Sequence, residues 1–341
     1  MKLIVLARDR YEDYFRRGLL EAAERDGVDV RFIGFRRSER RIDLVRSGTV
    51  VQTLPLNAAP RAIVGFARAG RDDDSTIVLN SAGYNWFWQV LYLRYAIPRA
   101  SLVFDVYDWL FYDARFPKLH VMRCIDWVYR RVCDGMIVVS PELLHHYPGA
   151  FLLDNASNVE GNVGDKRSKS GVAVVASIDG RMDFALLERV VDLLPQVTFH
   201  FHGWVQAQLP GIEDRFRALR KRVNVEYHGP YVNEELETLL ATYRIGLLPY
   251  ATGNRINRYV NPEKIYHYLR MGMEVVATPI PQAQRMGNYV HLASTAAEFA
   301  STISALLSGE AGKHPGPLGS RFHWSERWPT LRRFLVTVAG R

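Results

Sequence analysis

At 341 residues and 39.0 kDa the chain is long enough for two domains, and its 48% hydrophobic and 23% charged content is that of a globular protein. The net charge of +8 is spread evenly: residues 1–150 and 151–341 each hold 22 basic and 18 acidic side chains, so no basic tail for nucleic acid exists. Cys124 and Cys133 have neither metal-ligand nor disulfide-framework spacing, and the longest apolar stretch, Trp86 to Ile97, is broken by Arg94 and too short to span a bilayer. Met1-Lys2 runs straight into an apolar strand with no signal-peptide pattern, so a cytoplasmic protein is expected.

In chain order, apolar runs predict strands at 2–7, 28–35, 49–54, 75–80, 101–105 and 135–139. Helical periodicity falls between them, near 10–26, 58–71, 84–97, 117–133 and 140–147. The second half repeats the scheme, with strands near 171–177, 197–202, 224–228, 245–249, 274–278 and 288–293. Helices near 183–194, 211–222, 233–242, 262–271 and 295–308 separate them. Such alternation forces right-handed crossovers and parallel, doubly wound sheets. The boundary falls in the Asn-, Ser-, Gly- and Lys-rich stretch between them, giving a domain over 1–155, a linker over 156–170 and a second domain over 171–320. A last amphipathic segment, Trp324 to Val338, lies within the remaining 321–341.

Neither half has Gly-x-Gly-x-x-Gly after its first strand, so a nicotinamide-dependent dehydrogenase is not expected, and Gly309 to Lys313 lacks the first glycine of a P-loop. The informative stretch is Tyr250 to Pro281. A polar loop carrying Arg255 and Arg258 leads into Asn261-Pro262-Glu263-Lys264, with Asn261 suited to the N-cap, Pro262 to the first helical position and Gly272 to the stop. Lys264 then sits in a first turn, where the helix dipole disfavours a cation. A bound anion, held jointly by backbone N–H groups and the ammonium, resolves the conflict, and so does charge balance with the adjacent Glu263. Lys264 and His267 lie one turn apart on one face, with Ile265, Tyr268 and Leu269 opposite.

Pro262, Lys264, Ile265, Tyr266, Tyr268, Leu269, Gly272, Val275, Val276, Ala277 and Thr278 match the donor-site signature of GT-B glycosyltransferases of the bacterial family 4-like group. The pattern is Pro-x-Lys-aliphatic-Tyr-Glu-Tyr-Leu-x-x-Gly-x-x-Val-Val-Ala-Thr. One position departs from it: the glutamate that usually holds the nucleotide ribose is His267, a variation the chain shares with exopolysaccharide glucuronosyltransferases. Histidine retains a donor and an acceptor for a ribose hydroxyl. The resemblance implies two Rossmann-like doubly wound domains facing across a cleft, the first for the acceptor and the second for the nucleotide-sugar. It also implies a terminal helix that crosses back to the first domain.

In the first half, Asp105-Val106-Tyr107-Asp108 leaves a strand where doubly wound domains bind ligands. With Cys133-Asp134-Gly135 to Ser140-Pro141, it also resembles the first domain of that group. Asp108 is the preferred proton acceptor, with Asp105 orienting the loop or taking its place; turn- and helix-capping carboxylates are the alternative. Asp72-Asp73-Asp74 contains an Asp-x-Asp but precedes a strand, and no His, Cys or Glu spacing reads as a zinc site, so neither a metal nor a cofactor is expected. Lys264 and a helix N-terminus compensate the leaving diphosphate instead.

The resemblance adds Arg181, within Ser177 to Asp183, as a diphosphate contact, unless it is a surface arginine. It adds Tyr231, after Tyr227-His228-Gly229-Pro230, as packing for the base. Tyr250 opens the donor loop, and Arg255 and Arg258 suit phosphate or an acidic sugar. Arg244 replaces an aspartate frequent in the group. The clusters at Arg36–Arg41 and Arg215–Arg222 suit solvated faces or an anionic surface. Tyr84, Trp86, Phe87, Trp88, Tyr92 and Tyr95 load one helix with aromatics, either to pack on the sheet or to meet a membrane interface.

The reading is a glycosyltransferase of exopolysaccharide or envelope glycan synthesis. Its partners are a nucleotide-sugar donor, UDP-glucuronate among the candidates, and a glycan or lipid-linked acceptor, with peripheral membrane contact. Two alternatives stand beside it: a degenerate GT-B domain kept for binding or assembly, and a nucleotide-sugar 2-epimerase, which shares the double fold but needs paired carboxylates.

Overall fold

The computed structural model describes residues 1–35, 41–46, 48–54, 61, 63–65, 75–84, 87–109, 111, 115–161, 170–309 and 320–340. The predicted helix near 58–71 falls largely outside these residues, as do Asp72–Asp74, Arg36–Arg40, Trp86, most of the linker and Lys313. The chain divides into two compact units, Met1–Asn155 with Trp324–Arg341, and Ala156–His323.

The first unit is built on eight strands: β1 (Lys2–Ala7), β2 (Asp29–Phe35), β3 (Arg41–Arg46), β4 (Thr49–Leu54), β5 (Thr76–Ser81), β6 (Ser101–Val106), β7 (Gly135–Val138) and β8 (Phe151–Leu152). They lie in the order β3-β4-β2-β1-β5-β6-β7-β8. Seven run parallel, and β3 joins β4 antiparallel. Leu3 to Ala7 are fully buried, as expected of a central parallel strand covered on both faces. The apolar pattern predicts no strand at β3 or β8: a charged run masks the first and the second is two residues long.

The predicted helix over 10–26 is shorter, Arg17–Arg25, because Tyr11, Tyr14 and Arg16 turn into the core before it begins. The terminal helix Trp328–Ala339 belongs to this unit. Trp328 Nε1 donates to Asp26 Oδ2 at 3.0 Å, Arg332 pairs with the same carboxylate, and Phe334 stacks on Phe151 at 4.6 Å.

The second unit has six parallel strands, β9 (Val172–Val175), β10 (Phe199–His202), β11 (Val225–Tyr227), β12 (Ile245–Leu248), β13 (Glu274–Ala277) and β14 (Val290–Leu292). Their order is β11-β10-β9-β12-β13-β14. Phe184, Leu187, Val190, Phe199, Phe201 and Phe299 form the core on one face; Ile265, Tyr266, Tyr268, Leu269 and Met273 form it on the other. Gly246 in β12 makes the second core possible, since a Cβ there would lie 2.4 Å from ring atoms of Tyr268. The short helix Pro281–Arg285, which opens on its proline, and the 3-10 turn Arg255–Arg258 have no counterpart among the predicted elements.

Candidate functional site

In an open parallel sheet, ligands bind outside the carboxyl ends of the strands where the winding direction reverses. In the second unit this point lies between β9 and β12. The loops leaving those strands, 176–183 and 249–262, are tied together. Asn254 Nδ2 donates to the Gly180 carbonyl at 2.8 Å and Asn257 Nδ2 to the carbonyls of Arg181 and Ala251 at 2.8 and 2.9 Å, while the Ala251 N–H donates to Arg181.

The helix Glu263–Arg270 follows. It starts one residue later than predicted, with Pro262 at the cap, because Asn261 Oδ1 accepts instead from the Tyr266 hydroxyl at 2.9 Å. It stops where predicted. Gly272 adopts φ +66°, and the N–H groups of Gly272 and Met273 return to the carbonyls of Leu269 and Tyr268.

Lys264 therefore sits in the first turn, and its ammonium donates to the Tyr231 hydroxyl at 3.0 Å. Burial, the largest effect, opposes its charge. Tyr231 and Glu263, with Tyr250, outweigh it and hold the ammonium above its ordinary range. The cation is thus retained at a helix N-terminus, the arrangement an anion requires.

One turn on, His267 is 4% exposed. Burial, then the Lys264 charge, push its pKa well below the usual value, so the ring is neutral. Nδ1 lies 2.8 Å from Ser157 Oγ, and Nε2 lies 3.9 Å from Glu263 Oε2. The Ser157 hydroxyl also accepts from the Val159 N–H at 2.9 Å. His267 is thus held by Ser157 on one side, and the carboxylate of this helix face is Glu263, about one turn earlier.

Arg181 is held bidentately by Asp179, with Nε and Nη2 at 2.7–3.0 Å from its oxygens, and its guanidinium lies 5.8 Å from the Tyr250 ring. Tyr250 is buried; Arg255 and Arg258 are exposed on the 3-10 turn Arg255–Arg258. Arg244 has a structural account: Nη1 reaches the Leu307 carbonyl at 3.4 Å, where a cation suits the end of the helix Ala296–Ser308.

In the first unit the winding reverses between β1 and β5, and β6 lies next to β5. Asp105, the penultimate residue of β6, is fully buried. Its Oδ1 accepts from Arg16 Nη2 at 2.8 Å and its Oδ2 from Ser81 Oγ at 2.7 Å; the Ser81 hydroxyl also meets Tyr14 Oη at 2.9 Å. The expectation that Asp105 can stand in as proton acceptor is corrected: both oxygens are engaged and no surface is exposed, so it braces the sheet.

Asp108, two residues beyond the strand, is half-buried, and its Oδ1 accepts from the Trp109 N–H at 2.8 Å. Trp109 and Phe111 flank it as an edge-to-face pair with centroids 5.8 Å apart. The Tyr107 hydroxyl is pushed up to about 12, chiefly by burial, with Asp9, Asp108 and Asp105 adding and Arg8 opposing. Asp9 stands at the exit of β1 and hence at the reversal point, a position that no glycine motif marks in the sequence. Its backbone carbonyl lies so close to β2 that a Cβ at Gly34 would approach it to 2.5 Å.

Of the aromatic helix, Tyr84 and Phe87 turn inward onto Tyr129, while Trp88 and Tyr95 are 72% and 83% exposed. Arg94 is held by Asp134 through both of its terminal nitrogens.

No family model matches the sequence. A Bacillus subtilis (strain 168) protein named "Putative teichuronic acid biosynthesis glycosyltransferase TuaH" is 27% identical over 112 residues, which cover 33% of this chain and only 27% of that protein. Among solved structures, Anabaena Alr3699/HepE, in complex with UDP and glucose, aligns with a TM-score of 0.71 at 14% identity, over 99% of this chain and all of that one. Sucrose-phosphate synthase from Thermosynechococcus elongatus aligns with a TM-score of 0.64 at 13% identity, over 99% and 96% of the two chains. AviGT4, a glycosyltransferase involved in avilamycin A biosynthesis, gives 0.64 and 13% over 98% of each.

Proposed function

From this GT-B fold we propose that the chain is a glycosyltransferase. It moves a sugar from a nucleotide donor, a UDP- or GDP-sugar with UDP-glucuronate among the candidates, to a hydroxyl of a glycan or lipid-linked acceptor. The observation that carries the reading is Lys264, kept charged in the first turn of a helix at the reversal point of the second sheet. That geometry suits a diphosphate, whose charge rises as the bond to the sugar breaks. The UDP in the HepE complex supports the same reading.

In the second unit, Lys264 and the helix N-terminus take the diphosphate, and Arg255 and Arg258 meet an acidic sugar. Tyr231 fixes the ammonium, a role that replaces its expected packing on the base. His267 acts through Glu263, whose carboxylate takes the ribose hydroxyl in place of the group's usual glutamate. In the first unit, Asp108 accepts the proton of the acceptor hydroxyl as its oxygen bonds to the anomeric carbon and the nucleoside diphosphate leaves with the electron pair of the broken bond. Inversion follows from that base, and Lys264 rather than a catalytic metal compensates the leaving group.

The setting is exopolysaccharide or envelope glycan synthesis on the cytoplasmic side of a membrane. Exposed Trp88, Tyr95, Phe116 and Trp127, with Lys118 and Arg131 on the neighbouring helix, supply the amphipathic surface for that contact. A second reading, a GT-B domain kept for binding, draws on His267 alone, since Arg244 has a structural role.

The test is turnover of labelled UDP-glucose, UDP-glucuronate and GDP-mannose, with and without a bacterial lipid extract as acceptor source. Acceptor-dependent transfer supports the proposal. Conversion to another nucleotide-sugar without acceptor would mark an epimerase, and binding without turnover a binding domain.

A further inference from the structure

We propose that His200, Glu226 and His228 form a site for one divalent transition-metal cation of the zinc class at the β11 edge of the second sheet. β10 reads Phe-His-Phe-His and β11 reads Val-Glu-Tyr, followed by His228. Side chains alternate along a strand, so Phe199, Phe201, Val225 and Tyr227 share the face packed by the helical core. His200, His202, Glu226 and His228 share the other. The register sets His200 directly opposite Glu226.

Three donor atoms converge. His200 Nδ1 lies 3.0 Å from His228 Nε2 and 3.3 Å from Glu226 Oε2, and His228 Nε2 lies 3.6 Å from the same oxygen. A tetrahedral cation with bonds of about 2.0–2.2 Å spaces its ligands about 3.3–3.5 Å apart, so the trio needs only small ring rotations to close on one. Two imidazoles and a carboxylate select zinc, cobalt, nickel or copper over magnesium or calcium, which prefer all-oxygen shells.

The rings are already oriented. His202 stacks on His228 at 4.5 Å with 12° between the planes, and its Nε2 is fixed by the Tyr243 hydroxyl at 2.8 Å. The Tyr243 ring lies 5.0 Å from His200, and Gly171, at φ +81°, closes in on the same imidazole: a Cβ there would touch it at 3.4 Å. Outer contacts of this kind hold ligating histidines in place. The side chains of His200, Glu226 and His228 are 20%, 54% and 39% exposed, so a cation reaches them from solution and water completes its shell.

β11 is an edge strand of three residues. A cation shared between it and β10 would clamp that edge and the Gly229-Pro230-Tyr231 turn beyond it, whose tyrosine meets Lys264. This is a structural clamp, and no step of the transfer passes through it.

The experiment is cobalt titration of the chelator-treated full-length protein, read by visible absorption. One Co²⁺ per chain with intense tetrahedral bands is expected. Zn²⁺ should displace it and Mg²⁺ should not. His228→Ala and Glu226→Gln change side chains at least one-third exposed, so both should fold, as circular dichroism will verify. Each should weaken binding by more than the about 10–100-fold that losing a mere outer-shell partner costs. No stoichiometric binding by wild type, or affinity unchanged in His228→Ala, would overturn the site and leave a hydrogen-bonded histidine pair.

Discussion

Replacing Arg16 with Met removes the cation that neutralises Asp105 while keeping an apolar stem against Phe15 and Trp324, whose rings lie 5.0 and 5.4 Å from the guanidinium carbon. Both members of the ion pair are fully buried and 2.8 Å apart. In the variant, Asp105 keeps the Ser81 hydroxyl as its remaining polar partner from that network. Stranding one charge of such a pair costs about 3–5 kcal/mol, whereas replacing both by apolar groups is often neutral or stabilising. Arg16→Met should therefore lower the urea midpoint of the first unit by about 1–2 M, at a slope near the upper end of about 1–3 kcal/mol/M. Arg16→Met/Asp105→Leu should recover most of the loss, giving a large coupling energy.

The carboxyl is already raised by burial, against the pull of Arg16. Without Arg16 it should rise further and protonate more readily, so the deficit should shrink as pH falls. A single variant within about 1 kcal/mol of wild type, or a double variant that is merely additive, would refute the claim that Asp105 is a brace held by one cation.

Three further predictions separate the chemistry from the scaffold. Asp108→Asn should cut the transfer rate by about 10²–10⁴-fold while leaving stability and nucleotide affinity intact; an unchanged rate constant would remove Asp108 as base. Gly246→Ala should destabilise the second unit by about 1–3 kcal/mol, because the new methyl displaces Tyr268 and its hydroxyl from the Val175 N–H; a thermal scan with an unchanged midpoint would contradict this packing.

His267 has a folded pKa well below 6.5, so the unfolded chain binds the extra proton and stability should fall as pH drops below about 6.5. This group's share is at most about 1.4 kcal/mol per pH unit. His202, lowered to about 4, and His200, also lowered, act in the same direction, so His267→Gln should flatten the slope without abolishing it. Equal slopes in the two proteins would show that His267 is not buried neutral.

The alternation of apolar runs made both parallel sheets legible, because a strand covered on both faces reads as an unbroken apolar run, as Leu3 to Ala7 does. Gly272 was legible for a local reason: the Schellman stop requires positive φ. Long-range partners were not. Lys264 and Tyr231 are 33 residues apart, and Arg16 and Asp105 are 89 apart. A carboxylate near a strand exit looks the same in sequence whether it faces solvent or an internal arginine, so the sequence leaves Asp105 as a substitute for the preferred Asp108, and its full burial rules that out.

His200 and Glu226 come from different strands, and only the β10–β11 register sets them opposite one another. Spacing rules for metal ligands, which scan short windows, pass over them. The start of the helix Glu263–Arg270 shifts by one residue because the Asn261 side chain has another use, accepting from the Tyr266 hydroxyl.

The most direct test of the central claim is calorimetric titration of UDP and GDP into the wild-type protein and Lys264→Ala. Micromolar binding of one nucleotide by wild type, weakened at least about 10-fold in a variant that folds normally, is the predicted result, since a charge-assisted contact is worth about 1.5–3 kcal/mol. No binding of either nucleotide by folded wild-type protein, or equal affinity in the two proteins, would contradict a diphosphate site at Lys264.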